Sequence, residues 1–374
     1  MNGAEHSAAI ADLSARSFER VLLIKPSSLG DIVHALPVLH GLRTRYPKAR
    51  IDWLIGSAFA PILEGNAEVS DLLIFDRRRF GRMWRDGGAT LEFVRFVRDL
   101  RARRYDLVID LQGLFRTGFL ARASGAAVRV GFRDAREGAQ VFYTHRLRAA
   151  NPDLHAVDRN YLVADLLGFA QTPIEFNLAL DQALRIDAAD LLRRSGLADE
   201  AEFVAVVPGA RWETKVWPPE RFGETIEKLQ ADGKVRCVLL GGAEEAELCG
   251  RIAARCRTGP VNLAGRTTLR QLAAVLERAG AVLCHDSAPM HLATALGRPL
   301  VCMIGPTNPR RTGPYRRMED VIRTPLDCSP CYLRKLSKCR YDHRCMHDLS
   351  PAMVAEAVCK ALRTRARPVH ATIA

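Results

Sequence analysis

The chain has 374 residues, of which 48% are hydrophobic and 26% are charged, and its formal net charge is +13. This length allows two domains, and no apolar run approaches the roughly 18 residues of a membrane span. The excess of positive charge points to an anionic partner, which could be nucleic acid, an anionic membrane surface or a phosphorylated substrate.

The first nineteen residues predict an N-terminal extension and not a targeting signal. They carry acidic residues where a signal peptide would have a basic region, and they lack a proper apolar stretch. We therefore expect a cytoplasmic protein.

Short β-branched runs then alternate with amphipathic stretches over residues 20–175. The strand "RVLLIK" precedes a predicted helix from about Asp31 to Tyr46, and four more strands follow: "IDWLIG", "DLLIF", "DLVIDLQG" and "VRVGF". Strands at this spacing, with helices between them, imply right-handed crossovers and a parallel sheet. We predict a doubly wound α/β domain.

The segment "KPSSLGD" lies where the first strand meets the first helix. Ser28 and Asp31 have the capping-box spacing, in which the two side chains satisfy N–H groups of the first helical turn. Asp31 is therefore either a helix cap or a carboxylate that carries chemistry, and the local sequence leaves both alternatives open.

Much of the positive charge is local. The stretch from Asp76 to Arg104 holds ten arginines against three aspartates and one glutamate. It is either a solvated helix face or a surface for an anionic partner. No aromatic-interleaved nucleic-acid module or zinc finger accompanies it, so we expect a small anionic molecule or a lipid head group, and no nucleic acid.

A second alternating series predicts a second α/β domain over residues 176–374, which ends in a helix. The stretch "FAQTPIEFNLALDQ" is typical of an interdomain connection, and the strands are "FVAVVPGA", "VRCVLLGG", "AVLCHDS" and "PLVCMIGP". Ligands bind outside the carboxyl ends of such strands, and two facing domains would form a cleft there.

Several phosphate-binding motifs are missing. The chain contains no G-x-G-x-x-G turn, no G-x-x-x-x-G-K-[ST] loop and no Asp-x-Asp pair. A phosphate-bearing substrate would therefore be held by protein cations and helix ends. Lys215, on the loop "GARWETKVWPP", and Asp286 with Ser287, at the start of a helix, are the candidates. The turn "GPTNPRRTGPY" follows the next strand, so we expect it to converge with the Asp286 loop.

The cysteines are confined to the second half, with none before Cys237 and ten from there on. Four of them have the spacing C-x2-C-x7-C-x5-C in a predicted insertion at 328–345. Four thiolates could form a tetrahedral zinc or iron site, and four reduced thiols on a loop are the alternative. These four are Cys328, Cys331, Cys339 and Cys345.

Five motifs occur in the order and at the spacing of a known family: "KPSSLGDIVHALP", "PGARWETKVWPPERF", "LLGGAEEAEL", "NLAGRTTLRQLAAVL" and "HDSAPMHLATALGRPLVCMIGPTNPRRTGPY". In these motifs the chain resembles the bacterial ADP-heptose:lipopolysaccharide heptosyltransferases, glycosyltransferase family 9, from about Arg20 to Ala361. The resemblance implies the GT-B fold, in which two Rossmann-like domains face one another, with the acceptor on the N-terminal side and the nucleotide sugar on the C-terminal side.

The resemblance also implies roles for individual residues. Asp31 would be the catalytic base of an inverting transfer, and Lys215 would stabilise the leaving diphosphate. Glu245 would bind the ribose, with Glu244 or Glu247 as alternatives, and Thr267 and Thr268 would lie near the adenine. Ala288 stands where the family usually has glycine. The remaining donor residues are Asp286, Ser287, Ala288 and His291, and the acceptor residues are Ser28, Gly30, Arg133 and Arg136.

The implied reaction transfers heptose from ADP-heptose to a Kdo-lipid A type acceptor and needs no cofactor for catalysis. It would take place at the inner face of the inner membrane, to which the arginine-rich stretch would bind peripherally. The first motif and the arginines are most like the heptosyltransferase I branch, whereas the cysteines are like the heptosyltransferase II branch. One alternative is an enzyme of the same family that uses another nucleotide sugar. The other is a non-catalytic protein that binds nucleotide sugars or anionic lipid.

Overall fold

The structure, a computed structural model, describes residues 13–231, 233 and 235–364. The described chain folds as two units: unit 1 ends at Ala179 and unit 2 begins at Leu180. This division falls inside the stretch "FAQTPIEFNLALDQ". Most of the predicted N-terminal extension lies outside the described residues, as do the last ten residues of the predicted second domain.

Unit 1 is built on a parallel β-sheet whose strands are mainly apolar. In the first strand only Arg20 is exposed, and the four residues after it are buried. Such strands are expected where helices cover both faces of a sheet. The strands are β1 (Arg20–Ile24), β2 (Arg50–Gly56), β3 (Asp71–Phe75), β4 (Leu107–Asp110), β5 (Val128–Phe132) and β6 (His145–Leu147). Their order in the sheet is β3-β2-β1-β4-β5-β6.

The helices of unit 1 differ from the prediction at one place. The predicted helix from Asp31 to Tyr46 is two helices, because Pro37 lies in the first turn of the second one. Proline has no N–H, and its ring clashes with the carbonyl four residues earlier, here that of Val33. The α-helices are α1 (Leu29–Val33), α2 (Leu36–Arg45), α3 (Arg77–Phe80), α4 (Gly87–Ala102), α5 (Phe115–Ala123), α6 (Ala156–Tyr161) and α7 (Val163–Leu167).

Unit 2 repeats this plan with a second parallel sheet. Its strands are β7 (Phe203–Val207), β8 (Arg236–Leu239), β9 (Val261–Asn262), β10 (Ala281–His285), β11 (Leu300–Met303) and β12 (Val321–Ile322), in the order β12-β11-β10-β7-β8-β9. Its α-helices are α8 (Gln182–Arg194), α9 (Pro219–Gln230), α10 (Ala246–Ala253), α11 (Leu269–Arg278), α12 (Ala288–Ala295), α13 (Pro309–Thr312), α14 (Arg344–His347) and α15 (Pro351–Leu362). The predicted fold class, α/β with two Rossmann-like doubly wound units, is confirmed.

The core of unit 2 joins the start of α9 to the sheet. Trp217 and Phe222 are both fully buried, and their rings meet edge to face with centroids 5.1 Å apart. The Trp217 indole N–H donates to the Leu349 carbonyl at 3.2 Å, so the chain just before α15 is tied to the same core. In the described part of the chain, no helix combines the length and the apolar character that crossing a bilayer requires.

Candidate active site

Each sheet has one point at which its strand order reverses, and the predicted site residues lie beside these points. In unit 1 the chain leaves β1 in one direction to β2 and later returns on the other side with β4. In unit 2 the corresponding neighbours of β7 are β8 and β10. Loops that leave opposite sides of such a point make a crevice at the carboxyl ends of the strands.

Asp31 lies on α1, directly after β1, and it caps that helix. Its Oδ2 atom accepts hydrogen bonds from the Ser28 N–H at 3.0 Å and from the Ser28 hydroxyl at 2.6 Å. The predicted capping box is therefore confirmed. Gly30 is buried in the same turn, and Asp31 itself is half-buried. The two bonds to Ser28 fix the direction in which the carboxylate points.

Two further charged residues lie at this switch point, and the sequence analysis did not single them out. Lys25 is buried, and its Nζ donates to the Leu111 carbonyl at 2.7 Å. Burial lowers the pKa of Lys25, while the Asp31 and Asp110 carboxylates oppose that shift. Asp110 is fully buried and accepts the Tyr143 hydroxyl at 2.7 Å, and burial raises its pKa. The sequence signal that could have identified them is a charged residue at the end of an apolar strand, as Asp110 is in β4, or directly after one, as Lys25 is after β1.

Two of the predicted acceptor residues lie on a loop that is held by a residue from a later helix. Arg133 and Arg136 are both exposed on the loop after β5. Arg159, on α6, forms a bidentate ion pair with Asp134 at 2.9 and 3.0 Å, and its guanidinium lies 4.1 Å from the centre of the Phe132 ring. Arg159 thus fixes the loop that presents the two exposed arginines.

In unit 2, Lys215 and Asp286 form an ion pair across the switch point. The Lys215 Nζ lies 2.7 Å from Asp286 Oδ2 and 3.0 Å from the Asp286 carbonyl oxygen. Asp286 Oδ2 also accepts the Thr307 hydroxyl at 2.5 Å. The loops after β7, β10 and β11 therefore meet, and the predicted convergence of the Asp286 loop with the "GPTNP" turn is confirmed. Thr307 itself was missed.

The remaining residues of this motif begin α12. Ser287 is the N-cap residue, and Ala288 is the first residue of the helix. In α12 Pro289 has no N–H, and the Met290 N–H already donates to the Ser287 carbonyl at 3.1 Å. What this end offers to a phosphate is the Ala288 N–H and the positive end of the helix dipole. The methyl group of Ala288 is part of that end. His291 is buried one turn further along α12.

His285 ends β10 and is a polar residue in an otherwise apolar strand. It is fully buried, and its Nε2 accepts the Trp217 N–H at 3.0 Å. Burial lowers the pKa of His285 to about 3, so the ring stays neutral and can accept that bond. The residue ties the loop of Lys215 to the strand that precedes Asp286. The sequence analysis did not name it.

Glu245 lies beside the loop that leads to Lys215. A Cβ atom added to Gly209 would come within 2.4 Å of the Glu245 Cγ, so the side chain runs directly over that glycine. Its Oε2 accepts the Gly242 N–H at 2.6 Å, and burial raises the pKa of Glu245. The alternatives to Glu245, Glu244 and Glu247, are exposed.

Thr267 is half-buried between β9 and α11. The Gly265 N–H of its loop donates to the Gly241 carbonyl at 3.0 Å, which places this loop beside the Glu245 loop. The neighbouring Thr268 is the N-cap residue of α11 and accepts the Gln271 N–H at 3.2 Å. Of these two threonines, Thr268 therefore has a structural function of its own.

The four cysteines of the predicted metal site all carry free thiols. Cys345 is buried, Cys331 is exposed, and Cys328 and Cys339 are between these extremes. Burial raises the pKa of Cys345 to about 11, with a further contribution from the other three. Within residues 13–231, 233 and 235–364, however, no group of three or more His, Cys, Asp or Glu side chains is arranged to hold a metal ion. The thiols do not form a ligand set in this structure, and the metal stays a prediction.

Comparisons with known proteins agree with this arrangement. The profile of glycosyltransferase family 9 (heptosyltransferase) matches residues 93–341. Lipopolysaccharide heptosyltransferase 1 of Pseudomonas aeruginosa is 34% identical over 322 residues, covering 83% of this chain and 86% of that protein. Its counterpart from Escherichia coli K12 is 31% identical over 313 residues, covering 82% of this chain and 94% of that protein.

Solved structures give the same result. The structure of E. coli heptosyltransferase WaaC with ADP has a TM-score of 0.71 and 29% identity, covering 91% of this chain and 99% of that chain. A family 9 glycosyl transferase from Veillonella parvula has a TM-score of 0.79 at 24% identity, covering 93% of this chain and 98% of that chain, which is a likeness of fold.

Two Rossmann-like units, each with polar and charged loops at the switch point of its sheet, define the class of the protein as a glycosyltransferase of the GT-B fold. Within that class, the chain belongs to glycosyltransferase family 9, the heptosyltransferases.

Proposed function

We propose that the protein transfers heptose from ADP-heptose to the Kdo/lipid A inner core of lipopolysaccharide, with inversion at the anomeric carbon. The observation that carries the proposal is the Lys215–Asp286–Thr307 arrangement at a switch point, in a chain of the heptosyltransferase family. The nucleotide part is supported by the related E. coli enzyme, which was solved with ADP and with ADP-2-deoxy-2-fluoro heptose.

In the proposed reaction Asp31 is the general base. An acceptor hydroxyl attacks the anomeric carbon of the heptose, the bond from that carbon to the ADP oxygen breaks, and Asp31 takes the hydroxyl proton as the new glycosidic bond forms. A carboxylate suits this task because carboxylates are ordinarily ionised at neutral pH yet can accept a proton from a developing alkoxide. The bonds from Ser28 would hold the carboxylate in one orientation while leaving it able to accept that proton.

Lys215 would stabilise the diphosphate as ADP leaves. Its side chain is only 14% exposed, and its ammonium is held by Asp286 at 2.7 Å. A positioned charge that is shielded from water stabilises developing negative charge strongly. The Ala288 N–H and the positive end of the α12 dipole would bind the same phosphates. Glu245 would accept a bond from the ribose, and Thr267 would lie near the adenine.

The acceptor would bind to unit 1. Arg133 and Arg136 are exposed cations on a loop held by Arg159, and arginine pairs well with the carboxylates and phosphates that a Kdo-lipid A acceptor carries. Ser28 and Gly30 lie in the same turn as Asp31, where they would contact the acceptor sugar whose hydroxyl attacks the heptose.

The experiment that tests this function measures ADP release by the purified protein. ADP-heptose is the donor, deacylated Kdo2-lipid A is the acceptor, and Asp31→Asn is the critical variant. Asparagine keeps an oxygen that can accept the Ser28 N–H, so the variant should fold and bind ADP normally. Loss of a general base lowers a rate by about 10²- to 10⁴-fold, and we expect a fall of that size in kcat.

Each outcome of this experiment is informative. Acceptor-dependent release that falls in Asp31→Asn supports both the reaction and the base. Acceptor-dependent release that is unchanged in the variant contradicts the role of Asp31. If the wild-type protein binds ADP but forms none from ADP-heptose, its acceptor or its donor sugar is a different one. Heptosylated acceptors and other nucleotide sugars are then tested. Binding without turnover on any of them would identify a binding protein.

A structural zinc or iron at the four cysteines is a separate proposal, and the reaction above requires no metal. Its support is the C-x2-C spacing of Cys328 and Cys331, which is a metal-ligand spacing. Elemental analysis of the protein, expressed without a His tag, tests it. Less than about one tenth of a metal ion per chain would contradict it.

The protein would act at the inner face of the inner membrane, bound peripherally through the arginine-rich stretch of unit 1. The support is the surface of α3, α4 and the turn between them, on which Arg77, Arg78, Arg82 and Arg85 are exposed. Trp84, between two of these arginines, is 87% exposed. Cations near an anionic bilayer and an aromatic ring at its interface both favour such binding.

A further inference from the structure

The cysteine-rich segment, residues 328–345, packs against the loop that carries Thr307. The Tyr332 N–H donates to the Pro306 carbonyl at 2.8 Å, and the Ser329 hydroxyl donates to the Gly305 carbonyl at 2.5 Å. Gly305 has no room for a side chain, because an added Cβ would lie 2.8 Å from the Cys345 Sγ. The segment therefore fixes the loop from which Thr307 reaches Asp286.

The same segment bonds the residues immediately before Lys215. The Thr214 carbonyl oxygen accepts a hydrogen bond from His343 Nε2 at 2.7 Å, and the Thr214 hydroxyl donates to the Leu333 carbonyl. One residue earlier, the Glu213 carboxylate accepts the Leu336 N–H at 3.1 Å. Two consecutive residues of the Lys215 loop are thus held by chain that is more than one hundred residues away in sequence.

These bonds are shielded from water where they meet Thr214. Thr214 is 3% exposed and His343 is 6% exposed. Removal of one partner would leave the other polar group buried and unpaired, which is more costly than the loss of a bond at the surface. A network of this kind holds its loop in one position.

The ammonium group of Lys215 is also linked to the cysteine-rich segment through an aromatic ring. Its Nζ lies 4.5 Å from the centre of the Trp212 ring, and the guanidinium of Arg334, which belongs to the cysteine-rich segment, lies 4.9 Å from the same ring. The Trp212 ring therefore lies within cation–π distance of both Lys215 and the segment. Lysine has a long, flexible side chain, so its position in a site depends on such neighbours.

We propose that the cysteine-rich segment is a clamp that positions Lys215 for the leaving diphosphate, and that Thr214 and His343 are its positioning residues. The clamp holds both loops that bear on the ion pair: Trp212–Lys215 directly, and Gly305–Thr307 through the bond to Asp286. This inference rests on the proposed role of Lys215 in the transfer reaction. Because misplacement of a catalytic group by about 1 Å can cost roughly 100-fold in rate, the clamp should matter to kcat.

Matched pairs of variants test the clamp. Thr214→Val removes the hydroxyl but keeps the shape, whereas Thr214→Ser keeps the hydroxyl. His343→Leu removes the N–H donor, whereas the side-chain amide of His343→Gln can still donate. We expect kcat for ADP release to fall roughly 10- to 100-fold in Thr214→Val and His343→Leu, and to stay within about threefold of wild type in the two conservative variants.

A double-mutant cycle separates positioning from general damage to the fold. In a Lys215→Ala background, Thr214→Val should cause no further loss of kcat, because the group that it positions is already gone. A residue with a merely structural role would lower the rate by the same factor in both backgrounds.

Hydrogen exchange of the free protein gives a readout that does not depend on activity. The amide of Lys215 is bonded to the Trp212 carbonyl at 3.0 Å, and that of Trp217 to His285 Nε2 at 3.0 Å. Their exchange reports how often the loop opens. In Thr214→Val and His343→Leu, we expect exchange over residues 212–217 to be faster by roughly five- to 100-fold, and unchanged in the conservative variants.

These readouts distinguish the inference from the proposed function. Faster exchange with a lower kcat that depends on Lys215 supports the clamp. Faster exchange in a protein that shows no transfer on any acceptor keeps the clamp and overturns the proposed function. Unchanged exchange over residues 212–217 in both Thr214→Val and His343→Leu overturns the clamp, and so does an active protein whose kcat is unaffected by either variant.

Discussion

At the scale of single residues, His285 shows how burial sets the charge of a group beside the candidate site. Its Nε2 must stay unprotonated to accept the Trp217 N–H. Desolvation secures this, since it lowers the pKa of His285 to about 3 from an ordinary value of 6.5. The neutral ring then joins β10 to the loop that follows Lys215.

This residue predicts a pH dependence of stability. Between pH 6.5 and 3 the unfolded chain binds a proton at His285 that the folded chain does not. The contribution of His285 to the free energy of unfolding is therefore complete above pH 6.5. Between pH 6.5 and 3 it falls by about 1.4 kcal/mol for each unit by which the pH is lowered. Urea unfolding of wild type and His285→Gln at pH 7, 5.5 and 4.5 measures it, because glutamine can accept the same bond but does not titrate. If the free energy of unfolding changed equally with pH in the two proteins, this account would be contradicted.

At the scale of elements, the carboxyl edge of the second sheet is assembled by close approach between loops. Gly209, after β7, lies directly under the side chain of Glu245, which precedes α10. Gly265, after β9, has a positive φ of 72° and lies beside Ala243. At Gly265 a side chain would push the Ala243 backbone away, and at Gly209 it would displace the Glu245 side chain.

Gly209→Ala should weaken nucleotide binding more than it lowers stability. The added Cβ would lie 2.4 Å from the Glu245 Cγ, so the flexible carboxylate must move away from the place proposed for the ribose. We expect ADP affinity to fall about 5- to 20-fold, the loss of roughly one charge-assisted hydrogen bond, with a small change in Tm. Calorimetric titration with ADP and thermal unfolding measure the two effects.

Gly250→Ala is the matched control for this change. Gly250 lies in α10, and an added Cβ there would meet nothing within 4 Å. Alanine in a helix interior should raise stability by about 0.5–1 kcal/mol and leave ADP affinity unchanged. Normal ADP affinity in Gly209→Ala would remove Glu245 from the proposed site.

At the scale of the whole molecule, the positive charge is unevenly placed, and unit 1 carries a basic surface with apolar side chains on it. Arg79 is already paired with Asp86 at 2.5 Å and with Glu92 at 2.7 Å, which joins α3 to α4. On α4, Leu91 is 50% exposed and Val94 is 55% exposed. A surface that combines arginines with exposed apolar side chains fits an anionic bilayer better than it fits water.

Flotation with anionic vesicles tests this surface. We expect binding that weakens as salt is raised. The double variant Arg82→Gln with Arg85→Gln should bind about thirtyfold less tightly, since each cation near the bilayer contributes about 1 kcal/mol. Two exposed arginines of unit 2 serve as the control, with Arg251→Gln and Arg257→Gln expected to change binding little. Equal losses in both pairs would show that only net charge matters.

Much of this architecture could be predicted from the sequence, because it depends on local patterns. Apolar strands between amphipathic helices predict both sheets, and the Ser28–Asp31 spacing predicts the capping box that the structure contains. The break at Pro37 was missed because the apolar pattern continues through it. The motif that contains Asp286 also predicts that its loop meets the turn of Thr307.

What could not be predicted are bonds between residues far apart in the chain. His343 and Thr214 are separated by 129 positions, and neither has a local signal that names the other. The cysteine spacing singled out residues 328–345, but as a metal site and not as a segment that holds the Lys215 loop. Buried groups such as Lys25 and Asp110 were missed for a related reason: their proximity depends on the order of strands in the sheet.

The distance along the chain between Thr214 and Leu333 also bears on how the protein is made. The two residues are 119 positions apart, so a ribosome that adds about 5–20 residues per second delivers Leu333 roughly 6 to 24 s after Thr214. Throughout that interval the strand that precedes Lys215 has already been synthesised, while the chain that anchors its loop has not. The proposed nucleotide-binding region is thus among the last parts of the protein to be completed during translation. A nascent chain that stops before residue 328 would carry every proposed donor-site residue without the segment that supports them.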